Sequence, residues 1–182
     1  MIKFLLNNEL VTLEKDAAEV SVQQYLRDQK ALTGSKEGCA AGDCGACTVV
    51  LGEIAPSQTG IFYRSVNSCI TLMAALHGKQ LITVEHLSDG NTLHPVQQAM
   101  VEHHGSQCGF CTPGFVMSMF ALYHTDQPAT RETVNTALSG NLCRCTGYRP
   151  IIDATIDSCA HRDADKFTVQ ESEVLKQLQA IA

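Results

Sequence analysis

The nine cysteines are the residues whose type and spacing most clearly predict chemistry. The N-terminal segment lacks the apolar run of about 7–15 residues that marks an export signal. We therefore expect a reducing, cytoplasmic compartment, in which disulfides are rare and grouped thiols are more often metal ligands. The cysteines form two groups of four and one remainder: Cys39, Cys44, Cys47 and Cys69, then Cys108, Cys111, Cys143 and Cys145, and finally Cys159.

The first group has the ligand spacing of a plant-type [2Fe–2S] cluster. Four residues separate Cys39 from Cys44, two separate Cys44 from Cys47, and Cys69 lies 22 positions beyond Cys47. Such a cluster is an anion that inward-pointing backbone N–H groups can hold, and the glycines of this loop permit that backbone course. Structural zinc also takes four thiolates, but its sites usually combine two short cysteine pairs. The spacing therefore favours iron and sulfide.

The second group combines Cys108-x-x-Cys111 with Cys143-x-Cys145, and each pair precedes a predicted helix. An anionic cluster between them would face two helix N-termini, whose free N–H groups and dipoles favour negative charge. The spacing alone leaves both [2Fe–2S] and zinc open. A thioredoxin-like function of the Cys-x-x-Cys motif is a third alternative, but the βαβ context that it requires is missing.

The surrounding pattern predicts an α+β fold with a β-rich first half and an all-α second half. Alternating apolar residues predict a hairpin over residues 2–13, and Ser21 with Gln24 forms a capping box that begins a helix. Further strands are expected at 48–51, 61–66 and 81–85, with a short helix at 71–78. Four helices are expected to begin near Pro95, Pro113, Thr130 and Pro150. We place domains at residues 1–88 and 89–161, followed by a polar tail at 162–182 with a weak helical pattern.

The composition excludes several other classes of function. With 13 Lys and Arg against 19 Asp and Glu, the net charge of −6 argues against nucleic acid and anionic membranes as partners. No apolar run approaches the roughly 18 residues of a membrane span. No phosphate loop, paired acids or Ser/His/Asp set is evident, so we expect no catalytic residue in this chain. Cys159 is expected to be a small core residue.

The histidines are not expected to bind metal. The adjacent pair His103-His104 cannot share one helix face, which makes it a poor metal site. The other five stand singly near the ends of predicted elements, where surface or capping roles are expected. They are His77, His86, His94, His124 and His161.

Three stretches resemble the iron–sulfur part of the molybdenum hydroxylases, the family of xanthine dehydrogenase, aldehyde oxidase and carbon monoxide dehydrogenase. They are residues 38–49, 107–114 and 140–151, in which every motif position is matched. The resemblance covers about residues 1–160 and is greatest to the xanthine dehydrogenase branch, particularly its bacterial members.

The resemblance implies a fold and a role for each cysteine group. The first domain would be a β-grasp ferredoxin-like [2Fe–2S] domain whose cluster lies nearer the flavin. The second would be a four-helix-bundle [2Fe–2S] domain whose cluster lies nearer the molybdenum cofactor. Gln107 and Cys145 match family positions that touch the molybdopterin, with the Cys145 sulfur accepting a hydrogen bond from its amino group. From the residues alone, Gln107 is more simply a loop side chain that satisfies backbone groups.

The resemblance also implies partners and a reaction. The chain would relay electrons from a large molybdenum-cofactor subunit, where xanthine or hypoxanthine is hydroxylated, to a FAD subunit that reduces NAD+. A dimer of heterotrimers is expected. The alternatives are a small subunit of an aldehyde- or carbon monoxide-oxidising relative, a free-standing two-cluster ferredoxin, and a zinc-stapled interaction module.

Overall fold

The computed structural model describes residues 1–160 and 162–182. His161, which the sequence placed at the end of the helical domain, lies outside the described residues. The chain begins with an antiparallel hairpin of β1 (Ile2–Leu6) and β2 (Glu9–Leu13), as the alternating pattern predicts. Asn7 makes the turn between them with a φ of 58°, a conformation that asparagine tolerates better than most residues.

A mixed sheet organises the N-terminal region. Its remaining strands are β3 (Thr48–Ile54), β4 (Ile61–Asn67) and β5 (Gln80–Ile82), in the order β2-β1-β5-β3-β4. β1 and β5 run parallel, whereas the other neighbours are antiparallel. The helix α1 (Val22–Gln24) begins with the predicted Ser21 capping box and continues as a π-helical turn over Tyr25–Gln29. This sheet with its packed helix confirms the expected ferredoxin-like fold.

The C-terminal region is helical, as predicted. It contains α2 (Pro95–Glu102), α3 (Thr112–Tyr123), α4 (Arg131–Leu138) and α5 (Arg149–Ala160). Proline lies in the first turn of α2 and α3, where its missing N–H group costs nothing. α3 is buried almost all round and packs against β3, so it lies at the centre of the molecule.

The sheet and the helices share one hydrophobic core. Side chains from one face of the sheet, including Val50 and Tyr63, pack in the same cluster as Phe115 and Phe120 of α3. The opposite face of the sheet buries a smaller cluster around Phe4 beneath α1. Because the larger core crosses from one region to the other, the position of the helices relative to the sheet is fixed by packing.

The C-terminal segment differs from the expected polar tail. Residues Lys166–Ile181 form a 16-residue helix, α6, whose N-cap is Asp165. Its buried face consists of Phe167, Val174 and Leu178, which join the larger core. The weak helical pattern in the sequence, at Val174, Leu175 and Leu178, therefore contained two of the three buried residues of this face, Val174 and Leu178. Among the described residues, no helix is both long enough and apolar enough to cross a membrane.

Candidate metal centres

Strand pairing brings together two cysteines of the first group. Cys47 immediately precedes β3 and Cys69 follows β4, and these strands pair with Thr48 opposite Asn67. The hydroxyl of Ser68 donates a hydrogen bond of 2.7 Å to the carbonyl oxygen of Cys47, which closes this end of the ladder. The Cys69 thiol donates to the Cys47 sulfur, and burial, followed by this hydrogen bond, raises the pKa of Cys69 to about 11.

The other two cysteines of this group lie on the loop before β3. The sulfur of Cys39 accepts hydrogen bonds from the backbone N–H groups of Ala41, Asp43 and Cys44 at 3.3–3.4 Å. Ala40 and Gly42 adopt positive φ angles of 51° and 81°, which turn these amides towards the sulfur. The N–H group of Ala41 contributes most to lowering the pKa of Cys39 to about 7, and the Cys44 thiol also donates to this sulfur. The loop thus stabilises negative charge on sulfur, as a thiolate-ligated anion requires.

The second group lies at the start of α3 and in the loop before α5. Cys111 is the N-cap of α3. Its thiol donates to the Cys143 sulfur, and burial, followed by this contact, raises the pKa of Cys111 to about 12. The Cys145 thiol donates to the Cys108 sulfur in the same way. The Thr146 hydroxyl lies 3.2 Å from the Cys143 sulfur. The structure therefore brings together all four predicted members of this group.

The sulfurs are arranged in pairs rather than around a single point. Each group contains two thiol–thiol contacts. In the first group these are Cys39 with Cys44 and Cys47 with Cys69. In the second group they are Cys111 with Cys143 and Cys108 with Cys145. A tetrahedral zinc site would instead gather four sulfurs about 2.3 Å from one ion. Among the described residues, one group of three potential ligands has all its ligand atoms within 4.8 Å of one another, and it contains no cysteine. No three sulfurs of either group are therefore that close together. Two pairs per site fit a cluster in which each of two irons takes two thiolates.

Gln107 and Cys145, which the resemblance places against the pterin, belong to the segments that carry the second group. Gln107 and Cys145 are both exposed. Gln107 directly precedes Cys108 in the chain, and the Cys108 sulfur accepts from the Cys145 thiol, so both residues lie close to this group. Their exposure leaves them accessible to a group on another domain or chain.

A buried cluster of His94, His124 and Asp165 was not expected from the sequence. His94 is the N-cap of α2, as expected, and its Nδ1 accepts from the N–H group of Val96 at 3.3 Å. Its Nε2 lies 2.7 Å from an oxygen of Asp165. Nε2 of His124 lies 2.9 Å from the same oxygen, but the angles of this contact are not those of a hydrogen bond. The expected surface or capping role holds as a capping role, because His94 is the N-cap of α2 and His124 is the C-cap of α3. Neither side chain lies at the surface, since both are largely buried.

This cluster is the cysteine-free group with metal-ligand spacing, but its hydrogen bonds argue for a structural role. A neutral imidazole has one donor and one acceptor nitrogen. Since Nδ1 of His94 accepts from the backbone, Nε2 carries the proton and donates it to Asp165. That nitrogen then has no lone pair to offer a metal ion.

Comparison with known proteins finds two domain models, each matching a region that contains one cysteine group. A "2Fe-2S iron-sulfur cluster binding domain" model matches residues 4–74, and a "[2Fe-2S] binding domain" model matches residues 83–156. Xanthine dehydrogenase of Emericella nidulans is 48% identical over 153 residues, which is 84% of this chain and 11% of that protein. Aldehyde oxidase 1 of Rattus norvegicus is 45% identical over 157 residues, which is 86% of this chain and 12% of that protein.

Two solved structures show the same fold. Quinoline 2-oxidoreductase from Pseudomonas putida 86 matches with a TM-score of 0.71 and 32% identity, over 98% of this chain and 95% of that chain. Aldehyde oxidoreductase from Desulfovibrio gigas matches with a TM-score of 0.75 and 39% identity, over 88% of this chain and 17% of that chain.

The mixed sheet, the helical region and the two matched models define a protein with two [2Fe–2S] binding domains. The chain belongs to the molybdenum hydroxylase family, of which it is the iron–sulfur portion. It spans only 11–12% of the length of the xanthine dehydrogenase and the aldehyde oxidase compared above.

Proposed function

We propose that this chain relays electrons from a molybdenum-cofactor centre to a flavin, through two [2Fe–2S] clusters held by its eight grouped cysteines. The observation that carries the proposal is that each of the two regions matched by a [2Fe–2S] binding-domain model contains one complete group of four cysteines. When bound, each cluster supplies one-electron redox chemistry at a potential that hydrogen bonds to sulfur and local burial adjust. The first cluster takes Cys39, Cys44, Cys47 and Cys69, and the second takes Cys108, Cys111, Cys143 and Cys145.

The two groups differ in how the protein surrounds their sulfurs. In the first group, Cys39 is exposed but receives three backbone N–H donors, whereas Cys47 is buried. In the second group, the pKa of Cys111 is raised chiefly by burial, and Cys145 is exposed. Because hydrogen bonds and burial both tune such clusters, the two sites are expected to have different potentials and distinct spectra.

Partner chains would carry the other cofactors. We assign FAD to one partner and the molybdenum cofactor to a large one, and we propose a cytoplasmic dimer of heterotrimers. Gln107 and Cys145 would meet the molybdopterin, because both match the family positions that touch it and both are exposed. A separate small subunit is supported by quinoline 2-oxidoreductase, one chain of which matches this chain over 95% of its length. A free-standing ferredoxin is not favoured.

The proposed reaction is hydroxylation of a purine, xanthine or hypoxanthine, with NAD+ as the final acceptor. Its support is the 48% identity to a xanthine dehydrogenase, against 45% to an aldehyde oxidase. We also propose that the domain limits lie at 1–88 and 89–161, with 162–182 beyond them.

Purification of the complex from its native source tests the proposed assembly. A tag on this chain should recover a flavin protein and a larger molybdenum protein in equal amounts, with NAD+-dependent oxidation of xanthine. Recovery of the tagged chain alone, with both clusters loaded, would instead support the ferredoxin. Oxidation of aldehydes but not of purines would overturn the proposed substrate.

Cysteine variants test the assignment of ligands. Cys39→Ser should lose the first cluster and lower the iron content from about four to about two atoms per chain, with the second cluster retained. Cys159→Ala is the matched control, because Cys159 is a buried core residue outside both groups and should leave the iron content unchanged. Equal iron contents in Cys39→Ser and the wild type would refute the assignment.

A further inference from the structure

Asn141 lies where the two cysteine groups meet. It is buried, with only 4% of its surface exposed, although it stands in the loop that leads to Cys143. Its Nδ2 donates to the carbonyl oxygen of Gly45 at 2.9 Å and to the hydroxyl oxygen of Thr48 at 3.0 Å. Its Oδ1 accepts from the hydroxyl of Ser118 at 2.6 Å. One side chain thus joins the first cysteine loop, β3, α3 and the second cysteine loop.

The residue that follows Asn141 connects the two groups directly. The N–H group of Leu142 donates to the carbonyl oxygen of Cys44 at 2.9 Å. Cys44 belongs to the first group, and Leu142 is bonded covalently to Cys143 of the second group. A single hydrogen bond therefore completes a continuous path of bonds from a ligand of one proposed cluster to a ligand of the other.

The backbone around the hydrogen bond from Leu142 to Cys44 is closely packed. A Cβ atom at Gly45 would overlap the carbonyl oxygen of Gly140, and one at Gly114 would overlap the carbonyl oxygen of Gly45. The backbones of the two loops and of α3 are therefore in direct contact. Since close-packed backbone transmits displacement, a small shift of the Asn141 loop would lengthen the hydrogen bond between Leu142 and Cys44.

An asparagine amide suits this position because it donates and accepts at once. Its NH2 group meets two oxygens and its carbonyl oxygen meets a hydroxyl, so three of its hydrogen-bonding positions are satisfied in a buried setting. An aspartate of the same shape would place carboxylate oxygens against the carbonyl oxygen of Gly45. A buried polar side chain with this many partners specifies one arrangement of the loops rather than a range of them.

We propose that Asn141 is a positioning residue that sets the electronic coupling between the two clusters by holding the hydrogen bond from Leu142 to Cys44. The inference rests on the proposed function, because the coupling exists only if both groups bind clusters. The hydrogen-bond partners of the Asn141 side chain are Gly45, Thr48 and Ser118, none of which is a cysteine.

The test compares Asn141→Ala with Asn135→Ala, an exposed asparagine on α4 that serves as a matched control. Both variants should retain about four irons per chain. In the reduced protein, interaction between the two clusters should split their EPR signals. This splitting should be smaller in Asn141→Ala than in the wild type. Hydrogen exchange of the Leu142 amide should become about tenfold faster, as expected for the loss of one buried hydrogen-bond partner. An EPR splitting unchanged from the wild type would overturn the proposal, whatever the exchange rate.

Ser118→Ala provides a second variant if Asn141→Ala does not fold. It removes only the hydroxyl that donates to Oδ1 of Asn141, and it should shift both measurements in the same direction by a smaller amount. No shift in either measurement would contradict the proposal. If the wild type binds fewer than two clusters, the proposed function fails and the coupling fails with it. If Asn141→Ala folds, binds both clusters and shows an unchanged EPR splitting, the inference about Asn141 is wrong, while the proposed function stands.

Discussion

Asp165 is the residue on which three helices converge. One carboxylate oxygen faces His94 at the start of α2 and His124 at the end of α3. The other accepts from the N–H group of Thr168 at 2.8 Å and so caps α6. Burial alone would raise the pKa of Asp165, but the two histidines and the cap hold the pKa of this carboxyl well below its usual range. Lys166 is a further charged neighbour of this carboxylate.

The depressed pKa of Asp165 predicts how stability depends on pH. The carboxylate stabilises the fold at every pH above its unfolded pKa of about 3.9, and this stabilisation is lost as the pH falls towards the folded pKa. Asp165→Asn should therefore lower the free energy of unfolding by about 1–3 kcal/mol near pH 7. The difference from the wild type should stay constant down to about pH 5 and shrink below about pH 4.

Urea denaturation of both proteins over this pH range measures the difference, in which acid effects common to the two proteins cancel. Asp163→Asn, at an exposed position two residues away, should show neither the loss nor the pH dependence. A difference between Asp165→Asn and the wild type that persists unchanged to pH 3 would contradict this account of the carboxylate.

Single residues differ in how far the sequence could predict them. The cysteines were found because the motifs are short and their spacing is characteristic of the ligated group. His94, His124 and Asp165 are instead separated by 30 and 41 residues, so no local spacing connects them. Asn141 was part of a recognised motif, but its partners Gly45 and Ser118 lie on other elements.

At the scale of elements, α6 contributes more to stability than its polar composition suggests. Its apolar face packs onto β1 and β3 as well as into the larger core. Glu171 also accepts a hydrogen bond of 2.9 Å from the N–H group of Ile61, and Gln170 accepts one of 2.7 Å from Asn8. The helix is therefore held to the sheet by apolar packing and by these two hydrogen bonds.

Leu178→Ala tests this role of α6. Leu178 is completely buried, so its truncation should leave a cavity and lower the free energy of unfolding by about 2–5 kcal/mol. Val169→Ala on the same helix is the control, because Val169 is 75% exposed and its truncation should change stability by no more than about 0.5 kcal/mol. Equal stabilities of the two variants, measured by urea denaturation, would show that α6 does not pack as described.

Regular elements were predictable where local pattern and tertiary burial agree. The hairpin and the four helices of the second half follow from alternation, prolines and caps. The strand expected at 81–85 ends at Ile82 because a 3-10 turn follows over Val84–His86. The helix expected at 71–78 is a single 3-10 turn over Met73–Leu76. α6 could not be predicted at full length because the surfaces that bury its apolar face come from distant parts of the chain.

At the scale of the whole molecule, the backbones of the two cysteine-bearing regions come into direct contact at Gly45 and Gly114. Gly114 lies in the first turn of α3, directly against the backbone of Gly45. An alanine inside a helix is normally more stable than glycine by about 1 kcal/mol. At this position the added methyl group must push the two regions apart.

Gly114→Ala should therefore destabilise the chain, by about 1–3 kcal/mol, as expected for overpacking of a closely packed interior. Gly140→Ala is the matched control, because a Cβ atom there would meet no atom within 4 Å and the backbone φ is not positive. Thermal unfolding of both variants measures the expected loss of stability. A stabilised Gly114→Ala protein would show that the contact between the regions is loose.

Each of the two cysteine groups is expected to hold one [2Fe–2S] cluster. The most direct test of this expectation is the iron, acid-labile sulfide and zinc content of the purified chain, combined with EPR spectroscopy of the reduced protein. We predict about four irons and four sulfides per chain, with two distinguishable EPR signals. Stoichiometric zinc, or two irons with a single signal, would contradict the account.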